Sequence, residues 1–205
     1  YVEAGHGPSL EDVFKTIRNV PGADAVEKIA RAQSYLTALR GKRLGFDKLD
    51  YKNTTLTEAQ AKAFMAKVDA DPELKASLEA FRDVYNQYNK GLIEFAVQSG
   101  AMTKADAAKL LAHGDYVPFY RVDGDGKAKL VFGEELTVSI GDLRYMPHLE
   151  ALKGGDGAIL PLNESIMQNT MLLTDLAMHN LAQKESAYAL QDLGKGKGKP
   201  DKSGK

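Results

Sequence analysis

Between Pro72 and Ser99 the apolar residues Leu74, Leu78, Phe81, Val84, Tyr85, Tyr88, Leu92, Phe95 and Ala96 recur at steps of three and four. That spacing puts them on one face of a helix, and a face this long must be covered by other helices. Asp71-Pro72 sets its start, because proline at the first helical position lacks an N–H that no residue would have bonded. Ser99-Gly100 sets its end.

The flanking segments read the same way. Ser9-Leu-Glu-Asp12 caps a short helix whose apolar face is Val13, Phe14 and Ile17, and Pro21-Gly22 ends it. Val26, Ile29, Ala30, Leu36 and Leu39 form a stripe over 23–40, which Gly41 and Gly45 break. Thr57-Glu-Ala-Gln60 is a capping box ahead of Phe64, Met65 and Val68. Thr103-Lys-Ala-Asp106 is another, with Asp in the Glu position, and it opens a short helix through Leu111. A second long helix spans about 163–191, with Ile166, Thr170, Leu173, Leu176, Ala177, Leu181 and Tyr188 as its buried side.

One stretch departs from this texture. Tyr116-Val-Pro-Phe-Tyr-Arg121 is aromatic, and proline pushes the residue before it out of the helical region. Val122–Lys127 is rich in Asp and Gly, and Ala128–Phe132 returns as a strand, so 116–132 reads as one β-hairpin. The expected fold is mainly α: a helical bundle with two long antiparallel helices and this single hairpin. Residues 1–193 form one domain, and 194–205 form a basic Gly/Lys linker.

Composition limits the chemistry. There is no Cys, so disulfides, thiolate zinc ligands and thiol nucleophiles are excluded. The four His are scattered at 6, 113, 148 and 179, and none is spaced for a metal pair. Asp123 and Asp125 start like a calcium loop, but Val131 and Phe132 fall where oxygen ligands are needed. No Ser sits in a nucleophile elbow, and 41–45 lacks the Gly-Lys-Ser/Thr ending of a phosphate loop. No catalytic, cofactor-binding or metal-ligating set emerges, and no cofactor is expected.

Net charge is -1, so no global excess points to nucleic acid. The tail 194–205 is basic, and Arg40, Lys42 and Arg43, with Lys48, form a loop cluster that offers phosphate contacts. No apolar run approaches the roughly 18 residues of a membrane span. The N-terminus, YVEAGHGPSL, has neither an initiator Met nor the pattern of a signal peptide, and the chain reads as cut from something longer at both ends.

Tyr116, Pro118, Phe119, Tyr120 and Arg121 carry a resemblance. Tyr116-Val-Pro-Phe-Tyr-Arg-Val122 is similar to the signature of a helical domain in large polyvalent proteins of phages and conjugative elements. Ile29-Ala-Arg-Ala…Leu36…Leu39-Arg-Gly41, Tyr85…Leu92…Gly100-Ala-Met-Thr-Lys and Leu152-Lys-Gly-Gly155…Leu162-Asn-Glu-Ser…Asn169-Thr…Asn180 follow the family's order around it. The resemblance spans about 12–192. In relatives a β-rich stretch follows the last helix, and Lys199-Pro-Asp201 would be its beginning.

The resemblance implies a structural or interaction domain of a giant internal or ejected virion protein. Its place would be the virion interior or the host cytoplasm after DNA entry. Its partners would be other segments of a longer polypeptide, other virion proteins, further copies of itself, and DNA. It implies no catalytic residue. Two other readings stand beside it: a nucleic-acid-binding module using Arg40, Lys42, Arg43 and the tail, and an enzyme fragment whose site is completed by residues outside the chain.

Overall fold

The computed structural model describes residues 7–45, 56–112, 119–122, 128–131 and 160–195. They are mainly helical: α1 (Leu10–Asn19), α2 (Ala25–Leu44), α3 (Glu58–Ala70), α4 (Pro72–Ser99), α5 (Lys104–Leu111) and α6 (Leu162–Lys195). Two short strands, β1 (Phe119–Val122) and β2 (Ala128–Val131), pair antiparallel with Phe119 opposite Val131 and Tyr120 opposite Leu130.

The starts of the helices follow local chemistry. The Ser9 side chain accepts the Asp12 N–H, and the Asp12 carboxylate accepts the Ser9 N–H at 2.8 Å. Thr57 and Gln60 exchange the same pair of bonds. Asp71 closes α3 and opens α4, taking the N–H groups of Glu73 and Leu74 on one carboxylate oxygen at 3.1 and 3.0 Å. Each cap satisfies backbone donors that the first helical turn leaves open.

At α5 the cap is also a titration site. The Thr103 hydroxyl donates to the Asp106 carboxylate at 2.7 Å and holds its pKa below the ordinary 3.8, with Lys109 at 3.3 Å acting the same way. A depressed carboxylate pKa adds stability above the unfolded value, and that contribution is lost as pH falls through the folded value. Acid titration below about pH 4 should therefore lower the melting temperature. The fall should be smaller in Asp106→Asn, as melts followed by circular dichroism at stepped pH would read.

The core runs as three joined clusters along α4. Val20, Tyr35, Val68, Leu74 and Leu78 join α2, α3 and the start of α4. Val13, Ile17, Ala32, Leu36, Phe81, Tyr85, Leu162 and Ile166 form the middle, where Phe81 and Tyr85 stack with ring centroids 5.9 Å apart. Leu92, Ile93, Ala96, Met102, Ala107, Leu110 and Leu173 close the far end under α5.

Contacts along these clusters set the direction of the long helices. Phe81 and Tyr85 meet Leu162 and Ile166, Tyr88 bonds Thr170, and Ser99 bonds Asn180 and Lys184. Both helices advance together, so α4 and α6 are parallel and the expected antiparallel pair is corrected. The antiparallel expectation rests on short connections between neighbouring helices. Here residues 100–161 lie between them, and α6 begins beside Phe81 and Tyr85 at the middle of α4. It is α1 that runs antiparallel to α4: Val20 lies with Leu74 and Leu78, while Val13 and Ile17 lie with Phe81 and Tyr85.

Other boundaries shift. Helix α2 continues through Gly41 to Leu44 and ends at Gly45, whose φ of 88° is the positive region glycine reaches at no steric cost. Helix α6 runs four residues beyond its expected end. Val26 and Tyr188, expected on buried faces, are 75% and 61% exposed. The Asp/Gly-rich turn expected over 123–127, Gly154-Gly155 and the tail after Lys195 lie outside the described residues.

Candidate functional site

The aromatic stretch that stands out in the sequence meets the bundle at β1. Tyr120 is buried, and its carbonyl accepts the Leu160 N–H at 2.8 Å. Leu162, two residues on, donates its N–H to Gln33 Oε1 of α2 at 3.1 Å. The entry to α6 is thus tied on one side to β1 and on the other to α2. Tyr116 and Pro118 lie outside the described residues, as do the side chains of Phe119 and Arg121, so only Tyr120 of the five motif residues is placed in full.

Arg40, Lys42 and Arg43 are on the last turns of α2, not in a loop. Arg40 is half-buried with its Nε out of water, while Lys42 and Arg43 face solvent. Acidic charge is close by: Lys42 contributes to holding the Asp69 carboxyl below its ordinary value, after the larger effect of the Lys75 hydrogen bond at 2.8 Å. The three cations do not make a row of free positive charge.

A cleft of about 410 Å³ opens between α2, α3 and the start of α4, lined by Glu27, Ala30, Arg31, Ser34, Phe64, Lys67, Asp71 and Leu74. Its strongest polar groups are already engaged. Arg31 donates to the Pro21 carbonyl at 2.7 Å and pairs with Glu27, while Asp71 caps α4. The Glu27 carboxyl is held below its ordinary value, first by the Ala23 N–H and then by Arg31. A general acid or base needs a pKa brought toward neutrality, and the Glu27 carboxyl is held away from it.

Among the described residues no group of His, Asp and Glu could hold a metal ion. His179 lies 3.7 Å from Asp175 on the exposed side of α6 and faces solvent. No helix among the described residues is long and apolar enough to cross a membrane.

The most developed polar arrangement clasps the end of α4. The Ser99 carbonyl would be left open at the helix C-terminus, and it accepts both Asn180 Nδ2 and, at 2.6 Å, Lys184 Nζ from α6. A cation there also opposes the negative end of the helix dipole. Gly100 sits beside it at φ 79°, and a Cβ built on it would come 2.5 Å from Lys184 Nζ. Sequence reading missed this clasp, since nothing local to Asn180 or Lys184 announces a partner some eighty residues earlier. Gly100→Ala is expected to cost about 1–2 kcal/mol from the left-handed backbone alone, with Lys184 displaced in addition. Urea unfolding of the variant against wild type checks it.

Comparison with known proteins finds no family model, no curated protein and no solved structure that matches this chain.

Proposed function

We propose that this chain is a non-catalytic structural or interaction domain of a large phage internal (ejected) or polyvalent protein, one that accompanies DNA into the host. The observation that carries the non-catalytic part is the state of the polar groups. Glu27 and Arg31 pair with each other, Asp71 and Asp106 serve caps, and Asn180 and Lys184 clasp Ser99. These groups hold helices together and are not gathered around a vacant reaction centre. The phage or mobile-element context rests on the resemblance of Tyr116–Val122 and the segments around it.

Within this reading, 116–132 is a single hairpin bracing the entry to α6. The pairing of β1 with β2 and the bond from Leu160 to Tyr120 support it. In the same reading residues 1–193 are one domain and 194–205 a basic Gly/Lys linker. The whole acts in the virion interior and then in the host cytoplasm. Mass spectrometry of purified particles, and of recipient cells soon after DNA entry, tests that placement. Absence of its peptides from both would overturn it.

The mixed charge around Arg40, Lys42 and Arg43 gives a DNA prediction. A fluorescent duplex at low salt should show no saturable binding to the chain. Affinity that falls linearly with the logarithm of salt concentration would replace the scaffold reading with the nucleic-acid-binding one.

A further inference from the structure

Helix α6 has two apolar faces. Leu162, Ile166, Leu173 and Ala177 turn into the bundle and are buried. On the opposite side Met167, Met171, Met178, Ala182, Ala189 and Leu193 are all exposed. Their order is regular: Met167, Met178 and Ala189 are eleven residues apart, and so are Met171, Ala182 and Leu193. An eleven-residue repeat brings side chains back to almost the same direction every three turns, the pattern of a helix–helix seam with a gentle right-handed twist. The stripe runs for about 40 Å at 1.5 Å per residue.

Beyond Lys184 the helix passes the end of α4, and every residue from Glu185 to Leu193 is exposed. A terminal helical segment with Tyr188, Leu190 and Leu193 in water gains little from the bundle, since helices in proteins draw most of their stability from packing. Apolar surface of this kind on a charged protein marks a contact site, and methionine suits it because its unbranched thioether adapts to a partner.

The charges beside the stripe select the occupant. Glu164, Asp175 and Glu185 are exposed on this side. Lys184 is turned away to the Ser99 carbonyl. A second copy would set these acids against one another. Residues 132–159 hold five acids (Glu134, Glu135, Asp142, Glu150, Asp156) and two basic residues (Arg144, Lys153), the wrong sign for this face. The tail after Lys195 is basic but has no large apolar side chain to fill the stripe.

We propose that the outward face of α6 is a docking surface for a basic amphipathic helix of a partner protein. Its apolar side would lie on Met167, Met171 and Met178, and its Lys or Arg residues would face Glu164, Asp175 and Glu185. The surface does not depend on the phage context, so either idea can fail without the other.

The probe is a labelled peptide of about 18 residues, built of Leu and Lys, with Leu at three- and four-residue steps. A scrambled peptide of the same composition is the control. Fluorescence anisotropy should give saturable binding of the amphipathic peptide, at least about tenfold weaker for the scramble. Met167→Gln/Met171→Gln/Met178→Gln should lower affinity at least about tenfold, with an unchanged melting temperature because these side chains are exposed. Glu164→Gln/Asp175→Asn/Glu185→Gln should weaken binding and flatten its dependence on salt. Equal binding of the scramble, or no effect of the methionine variant, overturns the proposal. So does a concentration-dependent dimer in light scattering that the methionine variant dissolves, since the occupant would then be a second copy.

Discussion

Phe81→Ala is expected to lower the free energy of unfolding by about 3–5 kcal/mol, the loss of a large buried aromatic plus the cavity it leaves. Phe81 is fully buried at the middle of α4, stacked on Tyr85, where α1, α2 and α6 all converge. Loss of its ring opens a gap in the cluster where these three helices meet α4, and close-packed surroundings relax only in part. Against a typical total of about 5–15 kcal/mol, this is a large share. In a chain of this size it corresponds to a drop of about 6–20 °C in melting temperature. Val26→Ala on exposed α2 surface is the control, with an expected change within about 0.5 kcal/mol. Urea denaturation of both variants measures the contrast, and a cost below about 1 kcal/mol for Phe81→Ala would mean that the centre of the bundle lies elsewhere.

The second large effect is expected at Tyr120→Ala. A two-stranded β-pair is marginal on its own in water, so β1 and β2 depend on what they are packed against. Tyr120 of β1 is buried, and β1 lies against α6. Truncation should cost about 3–5 kcal/mol in global stability. A local signature should accompany it. The Leu160 amide, bonded to the Tyr120 carbonyl at 2.8 Å, should exchange with deuterium much faster in the variant, while amides in the middle of α4 slow or quicken only with global stability. Unchanged protection at Leu160 would show that Tyr120 is not what anchors the entry to α6.

Much of the fold is legible along the chain because its causes are local. Ser9 with Asp12, Thr57 with Gln60, and Asp71 with Pro72 are each within a few residues of the backbone donors they serve. The stripe from Leu74 to Ala96 names its own buried face, and Leu74, Leu78, Phe81, Tyr85, Leu92 and Ala96 are all buried. Helix α6 is harder to read. Its apolar residues occupy two faces, so the sequence offers two candidate buried sides, and Tyr188, eleven residues after the buried Ala177, is exposed because α6 has by then passed the end of α4. Its relation to α4 was harder still. Parallel and antiparallel packing use the same residues on each helix, and the choice depends on how residues 100–161 bring the chain back.

The candidate sites divide in the same way. That Arg40, Lys42 and Arg43 are close together follows from their positions in sequence. That Asp69 is near enough to offset Lys42, and that Arg40 is half-buried, follows from how α2 packs. The exposed stripe of α6 has a periodic signal in the sequence, the eleven-residue spacing of Met167 with Met178 and of Met171 with Ala182. Exposure is what turns that spacing into a surface.

By itself, then, the sequence determined that this chain is built of capped helices around one long apolar stripe, with an aromatic interruption near Tyr120. Backbone capping, proline geometry and side-chain period act over a few residues and need no partner to take effect. Only the tertiary structure decided that α4 and α6 run parallel, that Asn180 and Lys184 close the end of α4, and that one apolar face of α6 remains in water. Each of these depends on which surfaces meet across long separations in the chain, and burial, not local preference, makes that choice.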